Sequence, residues 1–105
     1  MTEIKFFADK SKLYGFSVSG HSSENCDDTE GKILCSAISS ASYMAANTIS
    51  EIIGDRVEAD LDDGFMEIRV NNPSDKTQAV LLGYKLHMEQ LCLQFSDRIS
   101  ILSEV

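Results

Sequence analysis

The chain has 105 residues, of which 43% are hydrophobic and 25% are charged, and its formal net charge is −8. This length and composition are typical of a single globular domain, which we place over residues 1–105. The negative charge argues against direct binding of nucleic acid, whose phosphates it would repel, and favours basic partners.

The sequence also bears on the cellular compartment. Its first residues lack the basic and then apolar segments of a secretory signal, and no apolar run approaches the roughly 18 residues of a membrane span. The 3 cysteines are an odd number at irregular spacings, which does not suit a disulfide framework. We therefore expect a cytoplasmic protein with reduced thiols and no membrane contact.

Two short strands are predicted at the start of the chain. Residues 4–8 are mostly apolar, and residues 13–19 alternate with a period of two, so together they predict a hairpin. Gly20 breaks the second strand and places His21 at its edge. The polar, acidic residues 22–31 predict a mobile loop, which we expect to close over a bound peptide.

A long helix is predicted next, ending near Gly54, which is a suitable C-cap. Its apolar residues, spaced by three and four, form one predicted buried stripe: Leu34, Ile38, Ala41, Ala45, Ile49 and Ile52. A neighbouring row has only small side chains: Cys35, Ser39, Ser42 and Ala46. Small side chains allow another backbone to come close, whether from a sheet, a partner helix or a bound peptide.

The second half of the chain repeats this order. Residues 57–61 and 65–70 predict strands on either side of an Asp-Asp-Gly turn, and Ser74 or Asp75 can cap the last helix. The main apolar stripe predicted for that helix is Leu81, Tyr84, Met88, Leu91, Phe95 and Leu102. The predicted fold is therefore α+β, with two strand-strand-helix units that form an antiparallel sheet with two helices packed on one face.

The last helix is apolar on more than one side, because Leu82, Leu86 and Leu93 lie off its main stripe. The helix is therefore either deeply buried or part of a dimer contact, and the small size of the chain favours the dimer. His87 and Cys92 fall on different faces of this helix, and we interpret both as structural.

A compound motif joins the two halves of the predicted site. A strand ends in Gly20-His21, a variable loop runs to Gly31, and a helix opens with two aliphatic residues, Cys35 and, four residues later, Ser39. This arrangement resembles the ribosomal-processing cysteine proteases, the Prp family, as do the length, element order and acidic character of the whole chain. The resemblance implies a dimeric bacterial cytoplasmic endopeptidase without a cofactor. It further implies that the substrate is the precursor of large-subunit ribosomal protein twenty-seven, a basic protein that loses an N-terminal extension.

The resemblance also implies roles for particular residues. Cys35 matches the family's nucleophile and His21 its general base, while Gly20, Gly31 and Ser39 match substrate-binding or supporting positions. We expect Cys35 in the first turn of its helix, where unpaired N–H groups and the positive end of the helix dipole favour a thiolate and can hold an oxyanion. Ser39 either forms hydrogen bonds near the thiol or serves as a small packing residue.

The chain departs from the family pattern at Lys32, at Cys26 and in the loop between His21 and Cys35, which is slightly longer than usual. Lys32 stands three residues before the cysteine, where relatives have Asp, and Asp28 or Glu30 is a candidate replacement for that carboxylate beside His21. Cys26 is a further addition, which is either an inert thiol or able to form a disulfide with Cys35 under oxidation.

Two other functions are compatible with the same residues. A non-catalytic homologue would dock a basic ribosomal protein through the same cleft, and its Cys35 would be unreactive. Metal binding by His21, Cys26 and Cys35 is the second, but their spacing fits no structural zinc pattern and a fourth ligand is not evident. The sequence therefore predicts no metal site.

Overall fold

The computed structural model describes residues 1–21 and 27–104. Over these residues the chain forms a five-stranded sheet and two α-helices, the first continued by a short π-helical segment. The strands are β1 (Thr2–Asp9), β2 (Lys12–Ser19), β3 (Arg56–Asp62), β4 (Phe65–Asn71) and β5 (Ile99–Glu104). The helices are α1 (Thr29–Asn47), with the π-helical segment Thr48–Ile53, and α2 (Asp75–Gln94).

The sheet has the order β3-β4-β2-β1-β5. Neighbouring strands are antiparallel except β1 and β5, which are parallel. Alternate residues of the strands and one stripe from each helix form a single core: Ile4, Phe6, Phe16, Ile68, Leu34, Ile38, Leu81 and Met88 are among its buried members. The predicted α+β fold, a mostly antiparallel sheet with two helices, is confirmed.

The end of the chain differs from the prediction. Leu102 was expected on the last helix, but α2 ends at Gln94 and Leu102 lies in β5, opposite Lys5 of β1. Within β5 Ile99 is buried and Leu102 is exposed, because residues three apart on a strand point to opposite faces of the sheet. The helix α2 crosses from β4 over the sheet to β1, and such a crossover brings the next strand in parallel.

The first helix also differs from the prediction near both of its ends. It begins at Thr29, inside the predicted loop, because Asp28 Oδ1 accepts a hydrogen bond from Gly31 N at 3.1 Å and caps it. Gly54 ends the helical run with φ +86°, as predicted. Ile52, expected in the buried stripe, is 81% exposed, because the wider π-helical turns move it off the core face and Ile53 packs there instead.

The other predicted helix cap is confirmed at α2, where Ser74 Oγ accepts a hydrogen bond from Thr77 N at 3.4 Å. In the described part of the chain, neither helix is both long enough and apolar enough to cross a membrane.

Candidate active site

His21 and Cys35 lie on the same cavity, although fourteen residues separate them in the sequence. The cavity has a volume of about 250 Å³ and sits where the end of β2, the turn between β3 and β4, and α1 come together. Gly20 and Ser39 line it as well. Gly31, the remaining predicted site residue, is buried in the first turn of α1.

Gly20 determines how the chain leaves β2 and presents His21. Its φ is +86°, a conformation that L side chains rarely adopt, and a Cβ there would lie 2.5 Å from the carbonyl oxygen of Met1. Its N–H donates to the carbonyl oxygen of Gly64 at 2.9 Å. The positive φ and the close approach of the Met1 carbonyl require glycine at this position, while its supporting role in the site stays a prediction.

The turn between β3 and β4 is a part of the site that sequence reasoning missed. Asp62, Asp63 and Gly64 line the cavity, and a Cβ at Gly64 would lie 2.9 Å from His21 Nε2. The sequence signal was the Asp-Asp-Gly turn, which predicted a hairpin. That this turn meets His21 follows only from the way β2 and β4 pair in the sheet.

Cys35 is farther along its helix than expected. Counting Thr29 as the first residue of α1, Cys35 is the seventh, so the prediction that it lies in the first turn is wrong. At 1.5 Å per residue it stands about 9 Å along the helix axis from Thr29. The unpaired N–H groups of the helix start therefore do not adjoin the thiol in this conformation, and Lys32 N already donates to Asp28 O at 3.1 Å.

Three small residues of α1 line the cavity, namely Cys35, Ser39 and Ser42, and Ser42 also connects this wall to the core. Ser42 Oγ donates to Ile38 O at 2.7 Å, and the same oxygen is 2.7 Å from the hydroxyl of Tyr84. Because Ser42 has one hydroxyl proton, Tyr84 is the donor in the second bond. Burial raises the pKa of Tyr84, whose ring lies against that of Phe16 with centroids 4.2 Å apart.

The carboxylates expected beside His21 have other partners. Asp28 Oδ2 is 2.6 Å from Arg98 Nη1, and Glu30 Oε1 is 3.8 Å from Arg98 Nε. Hydrogen bonding to Asp28 is the main reason that the pKa of Arg98 is raised. The acidic residues that line the cavity are Asp62 and Asp63. Cys26 lies outside the described residues, and so do the disulfide and metal hypotheses that involve it.

The fold is similar to that of the ribosomal processing protease Prp from S. aureus. The structure with a covalently linked product peptide matches with a TM-score of 0.88 and 18% identity, covering 99% of this chain and 100% of that chain. The structure with a substrate peptide matches with a TM-score of 0.87 and 17% identity, with the same coverage. The protein SMU.848 from Streptococcus mutans has a TM-score of 0.84 and 20% identity, covering 99% of this chain and 96% of that chain.

At such identities these likenesses establish the fold alone, and no curated protein matches the sequence. Family membership comes from the sequence model of the cysteine protease Prp family, which matches residues 1–100. That range contains the whole described cavity, including His21 and Cys35. The resemblance first seen in the Gly-His and Cys motif is thus confirmed, and the chain belongs to the cysteine protease Prp family.

Proposed function

We propose that the protein is a cysteine endopeptidase in which Cys35 is the nucleophile and His21 the general base. The observation that carries the proposal is that these two residues, one after a strand and one on a helix, line a single open cavity in a chain of the cysteine protease Prp family. A thiol and an imidazole on one cleft are the two groups that cysteine-based acyl transfer needs.

In the proposed reaction His21 takes the proton of the Cys35 thiol, and the sulfur attacks the carbonyl carbon of the scissile peptide bond. The imidazolium then gives its proton to the leaving amine, which leaves an acyl-enzyme thioester. Water, deprotonated by His21, attacks the thioester carbonyl and releases the new carboxyl end and the thiol. Ser39, which is exposed on the same cavity, is proposed to support the bound peptide.

The proposed substrate is the precursor of large-subunit ribosomal protein twenty-seven, cut in the cytoplasm at its N-terminal extension. Two observations support a basic peptide substrate. The net charge is −8, and two acidic residues of the turn, Asp62 and Asp63, line the cavity. The S. aureus relative is described as a ribosomal processing protease and has been solved with substrate and product peptides.

The test is incubation of the purified protein with that ribosomal protein from the same genome, followed by intact mass measurement. We expect loss of one defined N-terminal fragment with the wild type and none with Cys35→Ala. Cys35→Ser, which is nearly isosteric, should retain the fold and lose cleavage. Cleavage that persists in both variants would show that Cys35 is not the nucleophile.

A second candidate function is a non-catalytic homologue that docks a basic ribosomal protein through the same cleft. The position of Cys35 beyond the first turn of α1 favours it, and so does Lys32, which stands where the family resemblance leads us to expect Asp. Alkylation at neutral pH separates the two. A catalytic Cys35 should react with iodoacetamide faster than Cys92, which is also half-buried, and the docking function predicts no such difference.

We further propose that the protein is a homodimer that associates through α1 and α2. A groove of about 610 Å³ lies between these helices and is lined by small residues, among them Ala37, Ala41, Ala79 and Gly83. Met44 beside it is 72% exposed, and Leu86 of α2 is 56% exposed. Apolar side chains in such numbers on two adjacent helices are typical of an association surface.

A further inference from the structure

We infer that the turn between β3 and β4 positions the imidazole of His21, that Gly64 is the positioning residue, and that Nδ1 is the nitrogen that accepts the Cys35 proton. The inference rests on the proposed function, because it assigns a geometry to the proposed base. The observations behind it are contacts of the described residues and one backbone hydrogen bond.

The first observation is the orientation of the ring. Measured from the position a Cβ would take at Gly64, the nearest atoms are His21 Nε2 at 2.9 Å, Cε1 at 3.3 Å and Cδ2 at 3.7 Å. The Nε2 corner of the ring therefore faces the turn. Nδ1 is not among these three nearest atoms, so we assign the proton from Cys35 to Nδ1.

The second observation is that the backbone before His21 is tied to the same turn. Gly20 N donates to Gly64 O at 2.9 Å, and within the turn Asp63 N donates to Asp62 Oδ1 at 2.8 Å. The side chain of His21 is otherwise exposed and would lose rotamer entropy on being held in one orientation. One turn thus fixes the backbone before His21 and lies beside the ring of the base, where the absence of a Cβ at Gly64 leaves room for the imidazole.

The chemistry follows from this orientation. The thiol proton of Cys35 moves to Nδ1, Nε2 keeps its own hydrogen, and the proton on Nδ1 later passes to the nitrogen of the leaving amine. Asp62 and Asp63 of the turn line the same cavity as the ring, while α1 contributes Cys35 and Tyr43.

The test variant is Gly64→Ala, and the chain offers a matched control in Gly54→Ala. Both glycines have positive φ, +69° at Gly64 and +86° at Gly54, so both variants strain the backbone. A Cβ at Gly54, however, meets no atom of the described chain within 4 Å, whereas one at Gly64 meets the ring of His21. The difference between the two variants therefore reports the contact with the imidazole.

We expect Gly64→Ala to slow alkylation of Cys35 by iodoacetamide at pH 7 and to lower kcat for the precursor. Each rate should fall by roughly 10- to 100-fold, the cost typical of a displaced catalytic group, while KM changes little. Gly54→Ala should keep both rates within about twofold of the wild-type values, because it shares the backbone strain of Gly64→Ala but not the clash with His21. If Gly64→Ala folds poorly, Gly64→Asn replaces it, because Asn tolerates positive φ, as Asn72 does here at φ 60°.

Combination with His21→Ala makes the test specific to positioning. If Gly64 acts through the imidazole, then Gly64→Ala should have no further effect on Cys35 alkylation once His21 is gone. An equal effect in both backgrounds, or no effect of Gly64→Ala at all, would overturn the inference. Alkylation needs no protein substrate. A His21-dependent reaction without precursor cleavage would therefore reject the proposed substrate while the positioning role stands.

The nitrogen assignment has its own measurement. The chain has 2 histidines, so long-range ¹⁵N–¹H spectra of the neutral rings resolve His21 beside His87, and His21→Ala assigns the signals. We expect the Nε2–H tautomer at His21. An Nδ1–H tautomer would refute the assignment of Nδ1 as the proton acceptor.

Discussion

Arg98 Nη1 lies 2.6 Å from Asp28 Oδ2, and this ion pair joins the start of α1 to the residue before β5. The other oxygen of Asp28 caps α1 by accepting from Gly31 N at 3.1 Å. One carboxylate therefore anchors the helix that carries Cys35 to the last strand of the sheet. Residues 70 positions apart in the sequence are joined in this way.

Asp28→Ala should destabilise the protein more than Asp28→Asn. The alanine removes both the cap, typically worth about 1 kcal/mol, and the partner of Arg98, whereas asparagine can still accept from Gly31 N. Urea denaturation followed by circular dichroism measures the difference. Equal midpoints for the two variants would mean that the cap contributes nothing to the stability of α1.

Tyr84→Phe tests the hydrogen bond between the core and the wall of the cavity. The variant should lose about 1 kcal/mol of unfolding free energy at pH 8, because the buried bond to Ser42 is gone while Ser42 keeps its bond to Ile38 O.

The same variant should change the response to alkaline pH. Burial raises the pKa of Tyr84 above its ordinary value of 10.0, so its contribution to stability is complete below pH 10. The contribution is lost as the pH rises further, because the unfolded chain ionises first. Denaturation at pH 8 and at pH 11 should therefore show a smaller loss for Tyr84→Phe than for the wild type. A parallel loss in both proteins would contradict this account.

Asp55→Asn tests how the stability of the fold depends on pH in the acid range. Asp55 Oδ2 accepts hydrogen bonds from Thr77 Oγ1, Ser74 N and Ser74 Oγ at 2.5, 2.9 and 2.8 Å, and these lower the pKa of Asp55 from its ordinary 3.8. A lowered pKa stabilises the fold above pH 3.8 and ceases to do so as the pH falls through the lowered value. The variant should have a lower urea midpoint than wild type at pH 7, and the difference between the two midpoints should become smaller below pH 3.8. A difference between the midpoints that stays constant from pH 7 to pH 3 would contradict the lowered pKa of Asp55.

Gly83→Ala tests the proposed dimer. In the single chain a Cβ at Gly83 meets no described atom within 4 Å, so alanine should stabilise the isolated helix, typically by about 1 kcal/mol. Across a close helix contact the same methyl group would hold the two copies apart. Light scattering over a dilution series should show weaker association for Gly83→Ala and still weaker association for Leu86→Glu. A monomeric wild type at high concentration would refute the dimer itself.

The local elements of this protein follow from the sequence by itself. An apolar run predicts β1, alternation with a period of two predicts β2, and the Asp-Asp-Gly turn predicts β3 and β4 on either side of it. Spacing of three and four predicts both helices, and Gly54 and Ser74 end and begin helices where expected. The pairing of Gly20-His21 with Cys35 was also predictable, because the motif carries a family resemblance that the match over residues 1–100 confirms. Each of these signals is contained within a short stretch of chain.

Tertiary structure decided the other features of the fold and the site, because those features depend on contacts between segments that are distant in the sequence. The apolar residues of β5 continue a helical spacing, and only the free edge of β1 makes them a strand. Asp28 was a candidate partner for His21, but the fold brings Arg98 to it. Gly64 likewise lies beside the ring of His21 because β2 and β4 pair in one register, and a sequence does not state which strands will be neighbours.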